Sequence, residues 1–267
     1  MKLYQVDAFT DQPFRGNPAA VCVLDGPRPD AWMQALAAEM NLSETAFPLP
    51  QGDGFGLRWF TPKQEVGLCG HATLATAHIL WAEGYLRPDQ EARFETKSGL
   101  LTASKRADGI EMNFPARFVT DTQANALLNR ALGAVPRHTS VLSSAKGNTY
   151  LLEYESERQV AEMVPDFAAL LATDARAVIV TSRAETPGYD FVSRFFAPAL
   201  GISEDPVTGS AHCYLAPYWS KKLGKVEMVG WQVSARTGVV GCAWQGERVA
   251  LRGQAVTVFK AELLPAG

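Results

Sequence analysis

Short apolar runs rich in β-branched and aromatic residues dominate the chain, and they predict strands. In the first part they are Leu3–Phe9, Ala19–Leu24, Thr45–Leu49 and Leu57–Phe60. A hairpin of Arg93–Ser104 and Gly109–Phe114 follows, turning at Ala107-Asp108-Gly109. The second part carries Thr149–Glu155, Ala177–Thr181, Asp190–Phe196, Trp231–Trp244, Val249–Leu251 and Ala255–Leu264. Helical spacing is rarer. Asp30 is placed to cap Ala31–Met40, with Trp32, Leu36 and Met40 on one stripe. Asp121–Leu132 reads as a helix stopped by Gly133, and Asp166–Leu171 as a short one after Pro165.

Two further helices have a different pattern. His71–Glu83, stopped by Gly84, is apolar on nearly every side, and Ser210–Leu223, stopped by Gly224, is almost as apolar. A helix without a polar face is buried on all sides, so each is expected at the centre of a sheet that curls around it. Pro217 inside the second one predicts a kink.

The chain also repeats itself. Arg58-Trp59-Phe60-Thr61-Pro62 resembles Arg194-Phe195-Phe196-Ala197-Pro198 at an offset of 136, and Gly70-His71-Ala72 resembles Gly209-Ser210-Ala211 at 139. Lys97-Ser98-Gly99-Leu100-Leu101 resembles Arg236-Thr237-Gly238-Val239-Val240, again at 139. A repeat of this length is a duplicated domain rather than a solenoid unit. The expected fold is therefore α+β: two pseudo-symmetric halves, each a mostly antiparallel or mixed sheet around a buried helix. We divide it as 1–118 and 119–267, with the last strand free to pair back onto the first half.

Composition narrows the function. The 267 residues are 47% hydrophobic, enough for a large core, and the net charge of -3 gives no footprint for nucleic acid. No run approaches the roughly 18 apolar residues of a membrane span. Asp7 stands where a signal peptide needs its apolar stretch. The four cysteines have no metal-ligand spacing, so reduced thiols, a cytoplasmic location and no bound metal are expected.

Both buried helices start at the repeated glycine. A helix start carries about four N–H groups without intrahelical partners and roughly half a positive charge. Two such ends facing one cleft would make a pocket for a carboxylate, with Gly70 and Gly209 allowing close backbone approach. The polar residues His71, Thr73, Asp205, Thr208, Ser210 and His212 cluster at these starts. The competing reading is that they are structural caps and tight turns.

At these residues the chain resembles a known family. Tyr4–Thr10, the block Pro13-Phe14-Arg15-Gly16-Asn17-Pro18-Ala19-Ala20-Val21, Asn41–Phe47, Gly67–Ala75 and Gly201–His212 are similar to the PhzF-like family, the phenazine-biosynthesis isomerase and its relatives. The resemblance implies the diaminopimelate-epimerase fold, a homodimer, and an isomerase that uses no cofactor. It implies Glu44, His71 and Asp205 as catalytic residues. It implies Asn17, Gly70, Ala72, Thr73, Thr208, Gly209, Ser210 and Ala211 as substrate-binding residues. The expected reaction moves a proton between carbons of a small carboxylate-bearing substrate, cyclic or open, with Glu44 as the single general acid/base. Burial near Phe47 would raise its pKa toward the working pH. Two alternatives stay open: an amino-acid or hydroxyproline epimerase or dehydratase on the same fold, and a non-catalytic binding protein. Cys69 stands where the epimerase relatives carry a thiol, but the matching position holds Thr208, which argues against two-thiol racemisation. Cys69 then reads as a small buried filler, with one-sided dehydration or a redox role as the lesser options.

Overall fold

The computed structural model describes residues 1–123, 125–145 and 147–264. The chain divides into two compact units. One is Met1–Phe114 with the described residues from Ala250 onward, and the other is Pro115–Val249.

The first unit runs β1 (Lys2–Ala8), β2 (Asn17–Cys22), α1 (Asp30–Met40), β3 (Glu44–Gln51), β4 (Gly54–Phe60), β5 (Glu65–Val66), α2 (Gly70–Ala82), β6 (Ala92–Thr96), β7 (Gly99–Arg106) and β8 (Gly109–Pro115). β1 and β2 are antiparallel, β2 and β3 parallel across α1, and β3 and β4 antiparallel. β4 then pairs antiparallel with β5 and, across α2, parallel with β6. β6–β7 and β7–β8 are antiparallel hairpins. The run predicted as one strand over Arg93–Ser104 is thus two, because Lys97-Ser98 turn and Gly99 takes φ 89°.

The chain alternates its side chains between two layers. Leu3, Ala20, Cys22, Phe47 and Phe60 pack with Met33 and Ala37 of α1. The other face holds α2, where every residue from Gly70 to Trp81 except His78 is buried. Its polar members are tolerated because they bond locally. Thr73 Oγ1 donates to the Cys69 carbonyl (2.5 Å) and Thr76 Oγ1 to the Ala72 carbonyl (2.7 Å). Asp30 lies inside the first turn of α1 instead of capping it. Its carboxylate accepts from Arg58 Nη1 at 2.7 Å, so a strand-borne guanidinium outcompetes the helix end.

The second unit runs β9 (Thr120–Asp121), α3 (Ala126–Leu132), β10 (His138–Leu142), β11 (Asn148–Glu153), α4 (Glu157–Ala161), α5 (Phe167–Leu171), β12 (Ala175–Arg183), β13 (Phe191–Ala197), β14 (Ile202–Asp205), α6 (Gly209–Leu223), β15 (Glu227–Gln232) and β16 (Gly238–Gln245). The chain continues into β17 (Arg248–Gly253) and β18 (Ala255–Glu262), and β18 pairs antiparallel with β1. The succession β10–β11 antiparallel, β11–β12 parallel, β12–β13 and β13–β14 antiparallel, β13–β15 parallel and β15–β16 antiparallel is the one just given for β1 to β7.

Two expectations for this unit are corrected. The helix expected over Asp121–Leu132 starts at Ala126, because Asn125 caps it through Leu127 N–H (3.0 Å) and Leu128 N–H (3.2 Å). Asp121 instead sits in β9 and accepts from Ser140 Oγ. The stretch Trp231–Trp244 breaks into two strands at Ser234–Thr237, where Thr237 takes φ 54° and its N–H bonds Ser234 Oγ. Pro217 has no N–H for the Cys213 carbonyl one turn back, and the backbone N–H of Arg117 supplies it at 2.9 Å.

Candidate active site

Three chain segments of the first unit converge on one imidazole. β2 opens with Asn17, which is fully buried. Gly16 before it takes φ 64°, and a Cβ there would collide with the Ala8 carbonyl oxygen, so only glycine fits this entry. The preceding loop is fixed by Asp7, whose carboxylate accepts the Phe14 N–H at 2.6 Å. β3 opens with Glu44, registered opposite Ala19 in the parallel pair. α2 opens after Cys69, whose extended backbone (φ -143°, ψ 115°) turns the chain into the helix without a side-chain cap.

His71 lies at the centre. Asn17 Nδ2 approaches its Nδ1 at 3.2 Å, Cys69 Sγ stands 3.6 Å from the same nitrogen, and Nε2 faces Glu44 Oε2 at 3.3 Å. An amide NH2 only donates. With Asn17 in this orientation, Nδ1 carries the lone pair and the proton of a neutral ring is on Nε2, facing the carboxylate. Burial pushes the His71 pKa down to about 3, so the ring is neutral over the working pH range. The contact with Glu44 is therefore between a neutral imidazole and a carboxyl group. The Glu44 side chain is 12% exposed, enough to reach a ligand while most of it is shielded.

Of the residues expected from sequence in this unit, Asn17, Glu44 and His71 come together. Gly70, Ala72 and Thr73 form the first turn of α2, with the Thr73 hydroxyl turned back to the Cys69 carbonyl. Cys69, read mainly as filler, is in contact with the imidazole.

The matching helix start in the second unit is a closed polar clasp. Thr208 Oγ1 donates to Asp205 Oδ2 at 2.5 Å. Gln232 on β15 accepts the Thr208 N–H (2.8 Å) and donates to the Asp205 carbonyl (2.8 Å). Asp205, Thr208, Gly209 and Ala211 are buried and Ser210 is exposed. Gln232 was not anticipated. It arrives through the parallel β13–β15 pairing, and no local motif marks it.

A family model described as "Phenazine biosynthesis-like protein" matches residues 6–261. The chain belongs to this family. Among the relatives, an uncharacterized isomerase of Halalkalibacterium halodurans is 51% identical over 98% of both chains. An uncharacterized isomerase of Pseudomonas aeruginosa is 47% identical, covering 97% of this chain and 96% of the relative. The crystal structure of a PhzF-family phenazine biosynthesis protein of Enterococcus faecalis superposes with a TM-score of 0.92 at 40% identity, over 99% of each chain. Isomerase is the enzyme class of the family, and the mixed α/β fold is shared. No helix among the described residues is long and apolar enough to cross a membrane.

Proposed function

We propose that this isomerase moves a proton between two carbons of a small carboxylate-bearing substrate, with Glu44 as the one group that takes the proton and returns it. The observation that carries the reading is the 3.3 Å approach of Glu44 Oε2 to a neutral His71 whose far nitrogen faces Asn17. A neutral imidazole beside the carboxylate leaves its basicity intact, where a full positive charge would quench it. When Glu44 has taken the proton, the same imidazole stays in register for the return step. The start of α2, with no side-chain cap, offers backbone N–H groups and the positive end of the helix dipole to the substrate carboxylate. Negative charge that develops on the substrate is steadied in the same way. Asp205 as a catalytic residue, and Thr208, Gly209, Ser210 and Ala211 as substrate-binding residues, enter this reading through their sequence positions alone. No cofactor is needed for a proton shift of this kind, and the reading carries with it a homodimer in the cytoplasm.

The experiment is a deuterium wash-in screen. Small cyclic and open-chain carboxylates are incubated with protein in heavy water and followed by proton NMR. The expected result is exchange at a carbon-bound position of at least one compound, reduced by about 10²-fold or more in Glu44→Gln. Exchange in the variant at the unaltered rate would overturn the single-base mechanism. Exchange confined to the α-carbon of amino acids would replace it with the epimerase reading.

A further inference from the structure

The groups around His71 also form a set of metal-ligating atoms, in which Cys69 joins the two residues of the proposed proton transfer. Glu44, Cys69 and His71 each offer one ligand atom, and these three atoms lie within 4.8 Å of one another. A tetrahedral zinc site with bond lengths of about 2.0–2.3 Å spaces its ligand atoms about 3.3–3.7 Å apart. An ion takes one nitrogen of an imidazole, and at Nε2 the 3.3 Å approach to Glu44 Oε2 already matches that spacing, while Nδ1, 3.6 Å from Cys69 Sγ, is left facing the Asn17 amide. His71 Nε2 is buried, and its approach to Glu44 falls short of hydrogen-bond geometry.

We propose that Glu44, Cys69 and His71 bind a thiophilic divalent cation of the zinc class, and that the bound ion switches the isomerase off. The ligand chemistry selects the ion. A sulfur, an imidazole nitrogen and a carboxylate oxygen suit zinc or cobalt, whereas magnesium and calcium require oxygen cages. Coordination forms a metal–sulfur bond as the Cys69 thiol proton leaves to solvent, and no oxidant or reductant takes part. Thiolate and carboxylate together carry two negative charges, which balance the ion. Three protein ligands leave a fourth position for water or a substrate carboxylate. Coordination through one oxygen draws charge from the Glu44 carboxylate to the ion, so the carboxylate accepts a carbon-bound proton far less readily. This inhibitory half rests on the role proposed for Glu44, whereas the binding half does not.

The test uses the full chain with cobalt(II) as the spectroscopic probe and zinc as competitor. One equivalent of cobalt is expected to give a thiolate-to-cobalt charge-transfer band in the near ultraviolet, removed by zinc and unchanged in Cys242→Ala. The band is expected to vanish in Cys69→Ala, and cobalt affinity to fall at least tenfold in His71→Gln and in Glu44→Gln. Circular dichroism and thermal unfolding establish that each variant is folded. Persistence of the band in Cys69→Ala, or no band at millimolar cobalt, overturns the site while leaving the proton-shift reading intact. Where an exchanging substrate has been found, stoichiometric zinc is expected to slow deuterium exchange more than tenfold, with recovery on chelation. Saturating zinc that leaves exchange unaltered overturns the switch even if the band is present.

Discussion

Arg58 and Arg194 occupy matching places in the repeat, and each grips a glutamate through Nε and Nη2, Glu65 in one case and Glu204 in the other. Each guanidinium also lies over a phenylalanine two residues on, at 5.1 Å from the Phe60 ring centre and 4.9 Å from that of Phe196. The surroundings differ. The Arg58 side chain is 32% exposed, whereas that of Arg194 is 11% exposed and its Nη1 also donates to the carbonyls of Val160, Ala161 and Met163. Removing a partner from a buried pair strands a charge and several acceptors, whereas an exposed pair contributes little. Arg194→Ala should therefore cost about 3–5 kcal/mol and Arg58→Ala about 1 kcal/mol, read from urea unfolding midpoints. Equal losses would contradict the burial argument. At the imidazole, Asn17→Asp replaces an NH2 donor with an acceptor, so the His71 proton should move from Nε2 to Nδ1. The nitrogen shifts of His71 in NMR should report that inversion, with at least a tenfold loss of deuterium exchange. An unmoved tautomer would show that Asn17 does not set it.

The elements fit together through close approaches that single substitutions can probe. Gly253 of β17 sits against Phe9 and Leu74 of α2, and a Cβ there would overlap Phe9 Cδ1 and stand 3.0 Å from Leu74 Cδ1. Phe9 is fully buried at φ 62° and has little room to withdraw. Gly253→Ala should cost about 1–3 kcal/mol, seen as a lower thermal midpoint of unfolding. A midpoint unchanged within a degree would mean that the packing relaxes freely. Much at this scale was legible in sequence. The all-round apolar character of 71–83 identified α2 as a buried helix, and the Gly70/Gly209 match marked both helix starts. Other features were not legible because they depend on partners distant in sequence. Asp30 sits where a helix cap belongs, yet Arg58 on β4 takes its carboxylate. The apolar runs 93–104 and 231–244 hide their turns because hydrophobicity continues on both sides of the bend. Cys69 lies two residues before His71, a spacing that separates side chains within a helix. Its extended backbone just outside α2 is what brings the thiol to the ring.

For the whole molecule, the duplication seen as an offset of 136 to 139 residues corresponds to one pairing scheme occurring in both units, whereas the assignment of Ala250 onward to the first unit depends on the long-range pairing of β18 with β1. The global consequence of building each unit around a buried helix is sensitivity to acid. His212 is fully enclosed in α6, donates Nδ1–H to the Thr208 carbonyl at 2.8 Å, and has its Nε2 buried without a hydrogen-bond partner. Burial lowers its pKa from 6.5 to about 4. A base whose pKa is lower when folded binds protons more tightly when unfolded. Its stabilising contribution is complete above pH 6.5 and is lost as the pH falls toward 4. At pH 5 the loss is about 2 kcal/mol, since one pH unit of difference in proton binding is worth about 1.4 kcal/mol. The paired carboxylates Glu65, Glu111 and Asp121 are shifted downward from 4.5, 4.5 and 3.8, so their losses set in as the pH falls into that ordinary carboxylate range and continue below it. The interval between pH 6.5 and 5 therefore isolates the histidines. His71 behaves in the same way and adds to the slope. In His212→Asn the amide can keep the bond to Thr208 but does not titrate, and the lost ring volume lowers stability at every pH alike. Urea midpoints at pH 7 and pH 5 should then differ by about 2 kcal/mol less in the variant than in the parent. An identical difference in the two proteins would mean that the α6 imidazole is not held neutral by the fold.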